Sequence, residues 1–139
     1  MSIIISSCLL GCDCKYNGGN NANKQVIEFA KGKDVISICP EQMGDLSTPR
    51  PPAEIVDGIV MNVEGENVDA AFKKGVNSAM ELIQNKKIDF AILQSRSPSC
   101  GVNQIYDGTF SGTLIKGQGL FTKALTSQGI KVIDVEDFK

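Results

Sequence analysis

Residues 88–101 read "IDFAILQSRSPSCG", and the fold turns on how they are read. The first six form an apolar run of strand length. A polar stretch marked by proline and glycine closes them, so 88–93 reads as a buried strand. Upstream, Val68, Ala71, Phe72, Val76, Ala79, Met80 and Ile83 recur at helical spacing, which predicts a helix from Asn67 or Asp69 to about Asn85. Downstream, residues 94–119 are long and glycine-rich. Asp107–Gly108 is expected to turn a small hairpin there, between "QIY" and "TFSGTLI". A helix over about 119–128 follows, then a strand in "KVIDV" past Gly129.

The amino-terminal part has the same alternation. "SIIIS" (2–6) reads as a strand. A helix is expected from Asn20 or Asn21 to about Lys31, with Val26, Ile27, Phe29 and Ala30 inward. "DVISIC" reads as a strand ending at Cys39, where Pro40 blocks its continuation. Residues 40–66 read as irregular, apart from a hairpin at Asp57–Gly58; the prolines of "STPRPPAE" make a stiff, extended loop. Strands alternating with helices predict an α/β fold. The expectation is one domain over 1–139, built on a mostly parallel, doubly wound, Rossmann-like sheet with a small β-hairpin insertion.

Composition narrows the function. A net charge of −2, no Trp and 6% aromatic residues give no dedicated nucleic-acid surface. No apolar run is long enough for a membrane span. The start "MSIIISSCLLG" reads as a first strand and not as a signal peptide, so a cytoplasmic, reducing location is expected. Five cysteines, an odd number, fit poorly with a full set of disulfides. With no histidine in the chain, Cys–His and Ser–His pairs and imidazole-bound zinc are excluded.

The cysteines then carry the chemistry. Cys8 follows the first strand, Cys39 ends the second and Cys100 lies just past the third, all on the carboxyl edge where ligands bind in such sheets. Thiolates select zinc, copper(I) or iron–sulfur clusters. A local zinc site using Cys12 and Cys14 (C-x-C) with Cys8 (C-x3-C) stays open, although no second knuckle exists. Inert, buried thiols are the third alternative.

"SSCLLGCDCKYNGGNN", "CPEQMGDLSTPRPPAEI" and "RSPSCGVNQIYDGTFSGTLIKGQGLFTKAL" closely resemble the family catalogued as domain of unknown function 523, which includes the iron–sulfur thiouracil desulfurases. The resemblance runs from residue 2 to the last strand. It implies a [4Fe–4S] cluster held by Cys8, Cys39 and Cys100 with a free fourth iron. It also implies a non-redox reaction: the substrate's thiocarbonyl sulfur binds that iron, water replaces it at carbon, and sulfide stays on the cluster. The implied substrate is a small thiolated base or a thiolated tRNA nucleoside. A sensing or sulfide-carrying module with the same cluster is the non-catalytic alternative. Lys15 stands where the family pattern has arginine, and a lysine cannot reproduce a guanidinium's paired contacts.

Within that frame Glu41, two residues after a ligand, is expected to be the general base for water, against the plainer reading of a loop carboxylate or helix cap. Ser97 is the candidate to polarise a developing oxyanion and Ser99 to bind substrate; either hydroxyl could instead serve its own loop. Arg50 is expected over the site mouth and Tyr106 stacked on a flat base. Their plainer readings are a surface loop and a simple hairpin.

Overall fold

The structure is a computed structural model and describes residues 1–138. Its central sheet has four parallel strands: β1 (Ser2–Ser6), β2 (Val35–Ile38), β5 (Ile88–Leu93) and β8 (Val132–Asp134), in the order β2-β1-β5-β8. β1 pairs on one side with β2 and on the other with β5, so the winding direction reverses between β1 and β5. Crevices at such reversals are where doubly wound sheets place ligands.

Both faces of the sheet are covered. Ile4, Ala91 and Leu93 meet Val76, Ala79 and Ile83 of α3 (Asp69–Ile83) and Phe121 and Leu125 of α4 (Leu120–Ser127) on one face. Ile3, Ile5 and Ile92 meet Val26 of α1 (Lys24–Ala30) on the other, where Phe29 packs edge-on against Phe138 with ring centroids 5.1 Å apart. β1 is therefore buried along its whole length, as its unbroken apolar run requires. The expected doubly wound α/β class is the observed one. Among the described residues, no helix is long and apolar enough to cross a membrane.

Three local readings are corrected. α1 begins at Lys24, not near residue 21, because the Asn23 side chain accepts from the Val26 amide at 3.1 Å and caps it there. Residues 40–66 are not irregular throughout: Pro40–Met43 form a helical turn, α2, with Pro40 at its first position, where its missing N–H is not needed. Both hairpins expected from the sequence form. β3 (Ala53–Val56) and β4 (Ile59–Asn62) turn at Asp57–Gly58, both with positive φ, as the sequence implied. β6 (Gln104–Tyr106) and β7 (Leu114–Lys116) are joined by the longer loop 107–113, wider than a two-residue turn at Asp107–Gly108.

α2 lies on α3 at backbone contact. A Cβ on Gly75 would stand 1.7 Å from the Pro40 carbonyl oxygen, and one on Gly44 would stand 2.0 Å from that of Ala71. This contact fixes Cys39 and Glu41 relative to the sheet. Two effects of opposite sign meet at Gly75→Ala. Helix propensity alone predicts a gain of about 0.5–1 kcal/mol. The clash with backbone predicts a loss of at least about 2 kcal/mol. We expect the loss to dominate, read as a lower urea midpoint; a midpoint at or above wild type would refute the contact.

Candidate functional site

The carboxyl ends of β1, β2 and β5 open onto a cavity of about 510 Å³, within the range of small-molecule sites. All the expected site residues line it: Cys8, Cys39, Cys100, Glu41, Ser97, Ser99, Arg50 and Tyr106. Each arrives by a different local device.

Cys8 sits in the 3-10 turn Ser7–Leu10 that continues β1, and Gly11 ends that turn in the left-handed region at φ 97°. The next loop folds back over it, with the Asn21 amide donating to the Cys8 carbonyl at 3.0 Å and its side chain to Cys8 Sγ at 3.5 Å. Cys39 is the residue preceding α2, placed by the Gly44–Gly75 contact. Cys100 lies in a loop seated on the amino end of α4. The amides of Gly119, Leu120 and Phe121 donate to the carbonyls of Gly101, Pro98 and Ser99 at 2.8–2.9 Å, and Thr122 Oγ1 donates to that of Cys100 at 3.0 Å. The unpaired amides of a helix start thus find their acceptors in the cysteine loop. Only glycine fits at 119, where a Cβ would stand 2.4 Å from the Ser99 carbonyl carbon.

Glu41 anchors the polar half. Arg50 Nε and Nη2 both donate to its Oε1, at 3.1 and 2.9 Å, and Ser99 Oγ donates to Oε2 at 2.8 Å. Ser97 Oγ accepts from the Cys100 amide at 2.7 Å and lies 3.3 Å from Ser99 Oγ. Ser99 has given its one proton to Glu41, so the proton between the two hydroxyls is that of Ser97, and the chain runs Ser97 to Ser99 to Glu41. Arg50 also donates to the carbonyls of Ser47 and Cys14 and to Thr48 Oγ1. Its five N–H groups are all taken by protein acceptors, so none is left over for a ligand. Glu54, on β3, accepts from the amides of Gly108 and Phe110 at 3.0 and 3.1 Å and draws loop 107–113 against the hairpin; with Tyr106 and Gly112 it forms one wall of the cavity.

The C-x-C pair is split. Cys12 is exposed and stands outside the cavity, whereas Cys14 is buried and lines it. All five cysteines are free thiols. Among the described residues, no three His, Cys, Asp or Glu side chains converge closely enough to hold a single metal ion. The thiols stand around the cavity instead. Sequence reasoning did not separate Cys12 from Cys14: their spacing was visible, but the Arg50 bond to the Cys14 carbonyl comes from 36 residues away.

The thiols differ in acidity. The Cys14 thiol, hydrogen-bonded to Cys39, lowers Cys39 to about 7, helped by the Gln42 amide and the Arg50 charge and opposed by burial and by Glu41. The same thiol lowers Cys8. Cys14, donating to both, is raised. Burial pushes Cys100 up to about 12.

A family model described as 2-thiouracil desulfurase matches residues 3–137. The chain is similar to the uncharacterized protein YbbK of Bacillus subtilis (strain 168), at 36% identity over 141 residues, covering 94% of this chain and 93% of that protein. Among solved structures it is similar to the [4Fe–4S]-dependent thiouracil desulfidase TudS. That match has a TM-score of 0.91 and 37% identity, and it covers 99% of this chain and 92% of that one.

In protein freed of metal by chelation, the thiolate is the reactive form of each cysteine. Iodoacetamide labelling of Cys39 is expected to rise through about pH 7, while Cys100 stays unlabelled at pH 8. Peptide mass spectrometry reads both sites; equal labelling of Cys39 and Cys100 at pH 8 contradicts the electrostatics described.

Proposed function

The chain belongs to the 2-thiouracil desulfurase family, and on that premise we propose that it is an iron–sulfur-dependent hydrolase that removes sulfur from a small thiolated base. The observation that carries this reading is the meeting of Cys8, Cys39 and Cys100 from three strand ends on one cavity that also holds a carboxylate. The donor set fits the cofactor. Soft thiolates suit iron–sulfur clusters, and the cavity is far larger than one ion. Cys8, Cys39 and Cys100 are proposed to hold a [4Fe–4S] cluster. When bound, it supplies an iron without a protein ligand, acting as a Lewis acid toward the thiocarbonyl sulfur.

The chain's own residues do the rest. The net change is C=S plus water to C=O plus hydrogen sulfide, with no electron gained or lost. Glu41 is the general base for the attacking water. Oε1 is filled by Arg50, so Oε2 is the atom that receives the proton. Arg50 is a positioning residue, not a substrate contact, because its donors are all engaged. Ser99 orients Oε2. Ser97 holds the Cys100 amide and feeds its proton to Ser99, which joins the ligand loop to the base. Tyr106, which also lines the cavity, offers a flat face to a heterocycle.

Anaerobic reconstitution followed by incubation with 2-thiouracil tests the function: equimolar uracil and sulfide are expected, and no sulfide release overturns it. A thiolated tRNA nucleoside run alongside decides the size of the substrate. Cys8→Ser, Cys39→Ser and Cys100→Ser should each lose iron and visible absorbance, while Cys12→Ser keeps both. Glu41→Gln should keep the iron and lower kcat by about 10²- to 10⁴-fold; wild-type turnover in that variant removes Glu41 from the reaction.

A further inference from the structure

Glu41 is the base of the proposed reaction. A second carboxylate, Glu54 of β3, lines the same cavity and takes no part in that reaction. Its two oxygens are used unequally. Oε1 accepts from the amides of both Gly108 and Phe110, at 3.0 and 3.1 Å, whereas Oε2 has no hydrogen-bond or ion-pair partner among the described residues. Nor is Oε2 sealed in: among those residues, the buried side-chain polar atom left without a partner is Arg96 Nε. Glu41 differs, because Arg50 fills one of its oxygens and Ser99 reaches the other. The loop that fixes Glu54 is closely held. Phe110 stands at φ 56°, a conformation that a bulky residue keeps only where its surroundings enforce it. Gly108, at φ 91°, lies so near β3 that a Cβ would stand 2.6 Å from the Ile55 carbonyl oxygen. Two amides on Oε1 thus fix the carboxylate group and, with it, the place of Oε2. Glu54 and Tyr106 are neighbours, since the two also line a second, smaller crevice with Ala53 and Ile105. A flat ring face and a free acceptor therefore lie side by side.

From this pairing, and resting on the reading that the cavity takes a small thiolated base, we propose that Glu54 is a specificity-determining residue: Oε2 accepts the ring N–H that neighbours the thiocarbonyl, and so selects cyclic thioamides whose nitrogen is unsubstituted. A carboxylate oxygen accepts and does not donate, so the ligand group it takes is a donor. A ring lying on Tyr106 presents its N–H groups at its edge, where an acceptor beside the aromatic face meets them. An N-alkylated ring has lost that donor and leaves Oε2 facing carbon, without water to compensate it. The bond is present in the bound substrate and is kept as the reaction proceeds, so it acts on binding more than on the chemical step.

The test measures sulfide release from 2-thiouracil and from 1,3-dimethyl-2-thiouracil, which has no N–H, by anaerobically reconstituted wild type, Glu54→Gln and Glu54→Ala. In Glu54→Gln the side-chain oxygen still accepts from Gly108 and Phe110, so the loop stays clipped, while an NH2 donor takes the place of Oε2. That variant is expected to keep the iron content and urea midpoint of wild type. Its KM for 2-thiouracil should rise by about 10- to 100-fold with kcat close to wild type. Wild type should prefer 2-thiouracil to the dimethyl compound by a similar factor, and in Glu54→Gln that preference should fall toward one. Glu54→Ala loses the acceptor and the clip together and should lose at least as much in kcat/KM. A Glu54→Gln protein with the wild-type KM overturns the proposal and leaves Glu54 as a loop clip only. A preference for 2-thiouracil that persists in Glu54→Gln also overturns it, since the bulk of the methyl groups then explains the rejection, and so does a fall in kcat at unchanged KM. Failure of the underlying reading looks different: wild type then releases no sulfide from either compound.

Discussion

The placement of Glu41 hangs on the Arg50 guanidinium. Its side chain is 7% exposed, and it ties together three segments: the cysteine loop through the Cys14 carbonyl, α2 through Glu41, and its own proline-rich loop through Ser47 and Thr48. Its backbone amide adds a bond to the Tyr16 carbonyl at 2.7 Å. A buried ion pair is weak evidence of stability, because desolvation of both charges opposes their attraction. Here the pair fixes geometry. A planar fork with five donors can hold Glu41 and two loops in one plane, which a lysine's single ammonium cannot do. Removing it takes both guanidinium bonds from Glu41 and frees the Cys14 carbonyl.

Much of this was legible in the sequence because it is written in short-range patterns. The strand runs at 2–6 and 88–93 and the helical spacing over 69–83 follow from which residues bury which face, and they suffice to line up Cys8, Cys39 and Cys100 on one edge. The turn at Asp57–Gly58 was readable for the same reason: positive φ at both positions favours such residues. What was not readable depends on partners far along the chain. Gly44 and Gly75 look like ordinary helix-weakening glycines until α2 and α3 are seen at backbone contact. Gly119 looks like a loop glycine until the Ser99 carbonyl is found against it. Arg50 reads as a rim cation because nothing local shows that Cys14 and Glu41 will use up its donors.

The thiols present an electrostatic problem that the fold answers unevenly. Burial opposes charge on each of them, and each thiolate opposes the next. Cys39 is relieved by the Cys14 thiol and by Arg50, while Cys100, which the Ser6 hydroxyl serves, remains pushed up to about 12 by burial. On the proposed reading a cation-rich cluster reverses this balance: iron in place of the Cys100 proton would make uptake release protons from the buried trio, most of all from the member that holds its own hardest.

The spacing of the trio along the chain determines what that uptake does to the fold. Cys8 and Cys39 are 31 residues apart and Cys39 and Cys100 are 61 apart, by subtraction of their positions, so no local peptide can assemble the three. If the proposed cluster binds the folded chain and not the unfolded one, mass action gives the folded state about 2.7 kcal/mol at a hundredfold excess over the dissociation constant. The converse also holds. The thiols meet only where β1, β2 and β5 end together, α2 rests on two glycines of bare backbone contact, and α4 grips the Cys100 loop by its amides. Cys39 and Glu41 stand at the start of α2, so any strain that lifts α2 moves both. The packing of α2 against α3 is thus a shared constraint on the proposed ligand and the proposed base.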